Sequence, residues 1–133
     1  MKRMMCMVSL AICMVLAAIF GSAANAQTTQ EIAKGNCSAC QKKCEEVLSY
    51  CTAKTGKYAS ANVTNALKDC IAACKLTDEY FSRGSNLSAK AANFNAEACI
   101  NCAKSCESFK DDDKMNACAN ECRKTAANCS KLK

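Results

Sequence analysis

The cysteines of this chain recur at intervals of three and four residues, which is the spacing of side chains along one face of an α-helix. The pattern C-x2-C-x3-C occurs within residues 37–44 and again within residues 99–106. Each copy is followed by a C-x3-C pair, within residues 70–74 and then within residues 118–122. Cysteines placed to staple loops would not keep one helical phase. The spacing therefore predicts two similar helical hairpins that direct their sulfur atoms toward a shared interior.

Turn and capping residues divide the chain into four predicted helices. They run from Thr28, in the capping box Thr28-x-x-Glu31, to about Ala53, from Ser60 or Asn62 to near Phe81, from Ser88 to Phe109, and from residues 111–113 to about Leu132. Gly84 follows the second helix, where glycine is a favoured stop. The chain has no proline to interrupt a helix. Helices of about 20 residues with short connections predict an all-α fold, an antiparallel up-down-up-down four-helix bundle.

Residues 1–26 have the features of a secretion signal. Lys2 and Arg3 precede an apolar run over residues 7–20, and Ala24-Asn25-Ala26 has the small-x-small pattern that signal peptidases cleave. The apolar run is shorter than the roughly 20 residues that span a bilayer. We predict a cleaved signal peptide at residues 1–26, a single domain at residues 27–133, export to the periplasm or the medium, and no membrane association after cleavage.

Every cysteine after residue 26 falls on the inward stripe of its predicted helix. The predicted inward rows are Cys37, Cys40, Cys44, Val47 and Cys51; Val63, Leu67, Cys70, Cys74, Thr77 and Phe81; Ala92, Asn95, Cys99, Cys102, Cys106 and Phe109; and Met115, Cys118, Cys122, Thr125, Cys129 and Leu132. Such a bundle requires about 24 inward apolar residues, but residues 27–133 contain only five Leu, three Ile and two Val. The core is therefore lined by cysteine. Because a thiol contributes less burial than a leucine, this core needs a cross-link.

Two kinds of cross-link suit a cysteine-lined core. High cysteine content in a short secreted chain is typical of a disulfide scaffold, and bridges between helices could use all of these cysteines. Bridges within a helix would strain it, because Cβ atoms one turn apart are separated by about 5–6 Å and a disulfide needs about 3.5–4.5 Å. Metal binding explains the adjacent pairs better, since two thiolates one turn apart can hold one soft ion.

The ion that these pairs favour is Cu(I). Zinc prefers closed groups of four ligands, often with histidine, and the chain has no histidine. Cu(I) accepts two or three thiolates, and one thiolate can bridge two ions, so the capacity would be about six ions without sharing and about twelve with full bridging. Two alternatives remain open: a disulfide-stapled helical structural or interaction protein, and a general thiolate sequestrant for zinc or cadmium.

Composition argues against several other functions. Loss of the signal removes Lys2, Arg3, Cys6 and Cys13, which leaves twelve cysteines and lowers the net charge from +6 to +4. This small, scattered charge does not predict nucleic-acid binding. The sequence shows no nucleophile elbow and no paired-carboxylate cleft, so we do not predict an enzyme. A thiol oxidoreductase would need a βαβ pattern beside its C-x-x-C motif.

The combined spacing resembles the family of cysteine-rich four-helix-bundle copper storage proteins. The segments that carry the resemblance are C-S-A-C-Q-K-K-C, D-C-I-A-A-C followed by R-G-S, E-A-C-I-N-C-A-K-S-C-E-S-F, and A-C-A-N-E-C-R-K-T-A-A-N-C, which together span residues 37–129. The resemblance implies a preformed bundle that stores many Cu(I) ions. By position it implies that the copper ligands are Cys37, Cys40, Cys44, Cys51, Cys70, Cys74, Cys99, Cys102, Cys106, Cys118, Cys122 and Cys129.

Departures from the family concern copper uptake and export. Family members often carry His or Met where copper enters the bundle, and here only Met115 is available after residue 26. Its role is either copper transfer or simple packing of the bundle end. Exported members are often associated with a twin-arginine signal, whereas this chain has Lys2-Arg3, so we predict general secretion and loading outside the cytoplasm. The expected partners are copper ions with copper donor or acceptor proteins, and a homo-oligomer stays open.

Overall fold

The computed structural model describes the backbone of residues 9–132 and the side chains of residues 29–132. Its α-helices are α1 (Ser9–Lys54), α2 (Ala61–Ser82), α3 (Ser88–Glu107) and α4 (Asp113–Cys129), and a short 3₁₀ helix, Gly56–Ala59, lies between α1 and α2. No helix in this described part combines the length and the apolar composition that crossing a membrane requires.

The helices pack as a four-helix bundle, which confirms the predicted fold class. Within residues 9–132, α1 packs against α2 and α4, and α3 packs against the same two helices. Helices α1 and α3 therefore lie diagonally opposite, and consecutive helices are neighbours, as short connections require. After α2 the chain turns at Gly84, whose φ of 62° glycine adopts without strain. The Ser85 N–H then donates to the Tyr80 carbonyl oxygen and closes the helix end.

The prediction that the first helix begins at Thr28 is wrong for the full chain. The backbone is already helical from Ser9, so the N–H groups near Thr28 have carbonyl partners one turn earlier and need no cap. The signal-peptide prediction stays a prediction, and residues 1–8 lie outside the described part of the chain.

The predicted caps of α3 and α4 have different outcomes. Ser88 does not cap α3, because it is already helical and its hydroxyl donates to the carbonyl oxygens of Tyr80 and Ser85. At α4 the acidic cap is confirmed: the Asp112 carboxylate accepts hydrogen bonds from two backbone N–H groups of the first turn. An acceptor at this position also suits the positive end of the helix dipole.

The predicted inward rows form the core. Every member of these rows is buried except Leu132, which is half-buried. Leu48 and Ile71, which the helical spacing places beside the stripe, pack against the core without being fully covered. Because each row contributes cysteines at matching heights, the bundle axis is lined with sulfur for most of its length.

Candidate metal centre

The cysteines from residue 37 to residue 129 point into the bundle, and none of these twelve side chains is exposed. All twelve thiols are free. The Sγ atoms of Cys70 and Cys99 lie 3.4 Å apart, and those of Cys40 and Cys70 lie 3.7 Å apart. A disulfide bond is about 2.05 Å long, so these sulfur atoms are close neighbours without being bonded.

Three groups of four thiols lie along the bundle axis, each with its sulfur atoms within 4.8 Å of one another. They are tetrad 1 (Cys40, Cys70, Cys74 and Cys99), tetrad 2 (Cys40, Cys44, Cys70 and Cys122) and tetrad 3 (Cys44, Cys102, Cys118 and Cys122). Each tetrad takes its thiols from three helices, because the inward rows of neighbouring helices meet at the same height. A metal ion in any tetrad would fasten three helices together.

Neighbouring tetrads share sulfur atoms. Cys40 and Cys70 belong to both tetrad 1 and tetrad 2, and Cys44 and Cys122 belong to both tetrad 2 and tetrad 3. Tetrads 1 and 3 have no member in common. The three groups therefore form one continuous column of thiols, in which a shared thiolate can bridge two soft ions.

One end of the column is closed by Cys51 and Met115. The Cys51 Sγ lies 3.5 Å from the Met115 Sδ, and neither side chain is exposed. The Asp112 carboxylate accepts a hydrogen bond from the Met115 backbone N–H and further bonds from the hydroxyls of Tyr50 (2.7 Å) and Tyr58 (2.9 Å). Met115, for which the sequence leaves copper transfer and simple packing both open, is fully buried at this end.

The opposite end of the column carries Cys37 and Cys129, whose Sγ atoms lie 3.8 Å apart. The fully buried Asn95 lies beside them. Its Nδ2 donates to Cys37 at 3.2 Å and to Cys129 at 3.6 Å. Its Oδ1 accepts from the thiols of Cys74 at 3.3 Å and Cys99 at 3.5 Å. The amide of Asn95 thus links this end pair to tetrad 1.

A bundle whose axis is a column of buried, unbridged thiols is a container for soft metal ions. Residues 25–133 match the family described as Csp, copper storage protein. The chain belongs to the copper storage protein family. This membership confirms the resemblance seen in the cysteine spacing, and it names copper as the metal for which the thiol column is built.

Solved structures share the fold of this copper storage protein. The Nmul_A1745 protein from Nitrosospira multiformis, known from a crystal structure, is 28% identical, and the match covers 80% of this chain and 95% of that one with a TM-score of 0.74. The Cu(I)-bound copper storage protein BsCsp3 is 21% identical, with 78% of this chain and 97% of that one covered and a TM-score of 0.74. None of the curated proteins compared with the chain matches it.

The thiols of this copper storage protein differ in acidity along the column. Hydrogen bonds from Cys129 and Cys74 lower the pKa of Cys37 to about 5. Burial, together with the nearby charge of Cys118, raises the pKa of Cys51 to about 11. Because Cu(I) binds the thiolate, metal binding displaces protons from the thiols, and the raised pKa of Cys51 makes its proton harder to remove than that of Cys37.

The structure brings the twelve predicted ligands into one chamber but divides them into four kinds of position. Eight belong to the tetrads, Cys37 and Cys129 form the end pair, and Cys51 lies against Met115. Cys106 is fully buried, and the neighbouring thiols of Cys102 and Cys118 in tetrad 3 raise its pKa.

The polar partners at the two ends were not predicted. Asn95 stands on the predicted inward row of α3 without a role, although a polar residue on a cysteine stripe is a sign of a hydrogen-bonding position. Nothing in the sequence indicates that Tyr50 and Tyr58 contact Asp112, because this contact depends on how the connection after α1 folds back over the bundle end.

Proposed function

We propose that this protein binds several Cu(I) ions through its core thiolates, as a store or sink in the compartment to which it is exported. The observation that carries the proposal is the continuous column of three tetrads with shared sulfur atoms. Thiolate-only surroundings select soft ions such as Cu(I). Membership of the copper storage protein family supports copper as the cargo, and no catalytic step is needed for this role.

The column sets the copper capacity. With two thiolates for each ion and no sharing, the twelve core cysteines hold about six Cu(I) ions, and full bridging raises the number to about twelve. The shared members of the tetrads are the thiolates placed to bridge. We therefore expect a capacity above six ions, with bridged ions concentrated in the tetrads.

Zinc or cadmium is the alternative cargo that the geometry allows, because four thiols within 4.8 Å can form a tetrahedral site made of four thiolates. If each zinc ion keeps four unshared thiolates, tetrad 2 cannot be filled beside either neighbour, because it shares members with both. Only tetrads 1 and 3 could be filled at once. The structure therefore predicts about two zinc ions, with Cys37, Cys51, Cys106 and Cys129 left over.

A disulfide-stapled helical protein is the alternative from a different class. Six bridges would need all twelve thiols, eight of which now meet in groups of four, and each bridge would draw two sulfur atoms from about 3.8 Å to about 2.05 Å apart. Shared groups offer no unique pairing. Copper binding makes use of this sharing, whereas disulfide formation is hindered by it.

Export and delivery complete the proposal. Cleavage after Ala26 would release a domain at residues 27–133, and Lys2-Arg3 favours general secretion of an unfolded chain. The bundle would then fold and take up copper from a donor protein outside the cytoplasm. Free thiols tend to oxidise there, and bound Cu(I) would protect them.

Two measurements test this function. Anaerobic titration of the reduced protein with Cu(I) against a competing chelator should give more than six tightly held ions, while zinc titration should saturate near two. Alkylation in denaturant followed by mass measurement should give twelve modified cysteines in the mature chain. A copper capacity of two or fewer, or a natively isolated protein containing six disulfides, would refute the storage function.

A further inference from the structure

We propose that Asn95 is a positioning residue that holds Cys37 and Cys129 as a separate two-coordinate Cu(I) site, whose negative charge its amide stabilises. This inference rests on the proposed function, since it concerns one member of the copper column. It adds a residue without sulfur to the machinery of the protein. The geometry of the amide and the charge of the bound ion carry it.

The inward row of α3 has no cysteine at the end of the bundle where Cys37 and Cys129 lie. The inward row of α3 continues beyond Cys99 to Asn95 and Ala92, so α3 offers an amide where another turn of the stripe could have carried sulfur. The end pair therefore belongs to no tetrad. Metal–thiolate bonds are about 2.3 Å long, so two sulfur atoms 3.8 Å apart can both reach one ion.

The charge follows from the chemistry of binding. Two thiols release two protons, and one Cu(I) ion binds the two thiolates that remain, which gives a bis-thiolate complex with a net charge of −1. In the tetrads a bridging thiolate is shared with a second ion, which offsets its charge. The end pair has no such neighbour, and both of its side chains are fully buried. A buried charge without a hydrogen-bond partner is costly.

Asn95 supplies the partner. Its Nδ2 carries two N–H donors, and these point at Cys37 and Cys129, one to each. The other buried polar side chains at this end are otherwise engaged. Thr77 donates to the carbonyl oxygens of Ala73 and Ala91. Thr125 donates to the carbonyl oxygen of Asn36, and the Asn36 amide donates to that of Ile32. The two N–H groups of Asn95 can donate to these sulfur atoms both before and after copper binds. Copper displaces the proton of a thiol, but it does not displace the proton of an amide.

The acceptor side of the same amide keeps the end pair apart from tetrad 1. Oδ1 now accepts from the thiols of Cys74 and Cys99, which both belong to that tetrad. The amide thus occupies the space between the two sets of sulfur atoms, with donors toward the pair and an acceptor toward the tetrad. A thiolate in that space would instead bridge the two sets and extend the column.

The test compares copper-loaded crystals of the wild-type protein with the variants Asn95→Leu and Asn95→Asp. Anomalous scattering at the copper edge locates each ion, and competition with a Cu(I) chelator measures how tightly the last ion is held. Asn95→Leu removes both donors, and Asn95→Asp keeps the shape but places a carboxylate beside the anion. Thr125→Val is the matched control, since it removes a buried hydroxyl at the same end that donates to the Asn36 carbonyl oxygen and not to a thiol.

The wild-type protein and Thr125→Val should show copper between Cys37 and Cys129. Both Asn95 variants should keep the copper of the tetrads and hold the end ion about tenfold to a hundredfold less tightly, as expected for loss of hydrogen bonds to a charged group. If Asn95→Leu does not fold, Asn95→Asp decides the question. Unchanged end-site copper in a folded Asn95 variant, or wild-type copper confined to the tetrads, would overturn the inference and leave the storage function intact. Absence of copper throughout the wild-type column would instead refute the function itself.

Discussion

The Cys51 thiol lies 3.5 Å from the thioether of Met115, so the last cysteine of α1 meets the first inward residue of α4 through sulfur. Both thiolates and thioethers are soft ligands that bind Cu(I). The thioether carries no charge and no proton, so it can receive an ion before Cys51 is ionised. Substitution of Met115 can therefore show whether this residue transfers copper to Cys51 or only packs the end of the bundle.

Replacing Met115 with Leu preserves apolar volume, so the free energy of unfolding should fall by less than about 1.5 kcal/mol. If Met115 passes copper to Cys51, the variant should take up Cu(I) more slowly while its final copper content falls by no more than one ion. Anaerobic stopped-flow absorbance of the copper–thiolate bands measures the rate, with Thr125→Val as the control at the opposite end. An uptake rate equal to that of the wild type would assign Met115 to packing alone.

Asp112 should make the stability of this bundle end depend on pH. Burial by itself would raise the pKa of Asp112, but hydrogen bonds from Tyr50, the Met115 backbone and Tyr58 outweigh it and hold the pKa well below its usual range. A group whose pKa is lowered in the folded state stabilises the protein above its unfolded value of about 3.9 and loses this effect as pH falls further.

The variant Asp112→Asn keeps a helix cap but not the charge. At neutral pH its free energy of unfolding should be about 1–2 kcal/mol lower than that of the wild type. Below pH ~4 the difference should shrink. Urea unfolding followed by circular dichroism at several pH values measures both effects. The exposed Asp111→Asn is the matched control, and a gap of the same size at low pH would contradict the assignment.

Shared and unshared cysteines should differ in their effect on copper capacity. Cys44 belongs to two tetrads and has the sulfur atoms of Cys102, Cys118 and Cys122 within 4.0 Å. Cys44→Ala should therefore cost about two ions, because a lost bridge releases both ions that it joined. Cys51 lies outside the tetrads, so Cys51→Ala should reduce the capacity by about one ion. Metal analysis after anaerobic gel filtration counts the ions, and equal losses would show that the column does not bridge.

Copper should stabilise a bundle that is already folded without it. The core also buries Val47, Leu67 and Met115 beside the thiols, and this apolar packing should hold the helices together, so the metal-free reduced protein should give a fully helical circular dichroism spectrum. Each site filled at a thousand times its Kd then adds about 4 kcal/mol to the free energy of unfolding. Thermal unfolding with and without a Cu(I) chelator measures the shift in Tm. A metal-free protein without helical structure would mean that copper drives folding.

The sequence by itself determined which residues face the axis. Helical periodicity is a local property, so the inward rows could be read from spacing, and the scarcity of Leu, Ile and Val showed that cysteine had to fill the interior. The structure confirms the rows for every helix, because every member is buried except the half-buried Leu132. The same local reasoning misplaced the start of α1, because the capping signal at Thr28 lies within a helix that is already continuous from Ser9.

Only the tertiary structure decided how the cysteines are grouped. Which four sulfur atoms meet depends on the relative height and rotation of three helices, and no spacing along one helix contains that information. Packing between helices decides three features of the site. It makes Cys40 and Cys44 shared between tetrads, and it brings Cys51 against Met115. It also places the amide of Asn95 between tetrad 1 and the end pair. Spacing fixes the direction of a side chain, whereas the packing of one helix against another sets the distances that a metal ion requires.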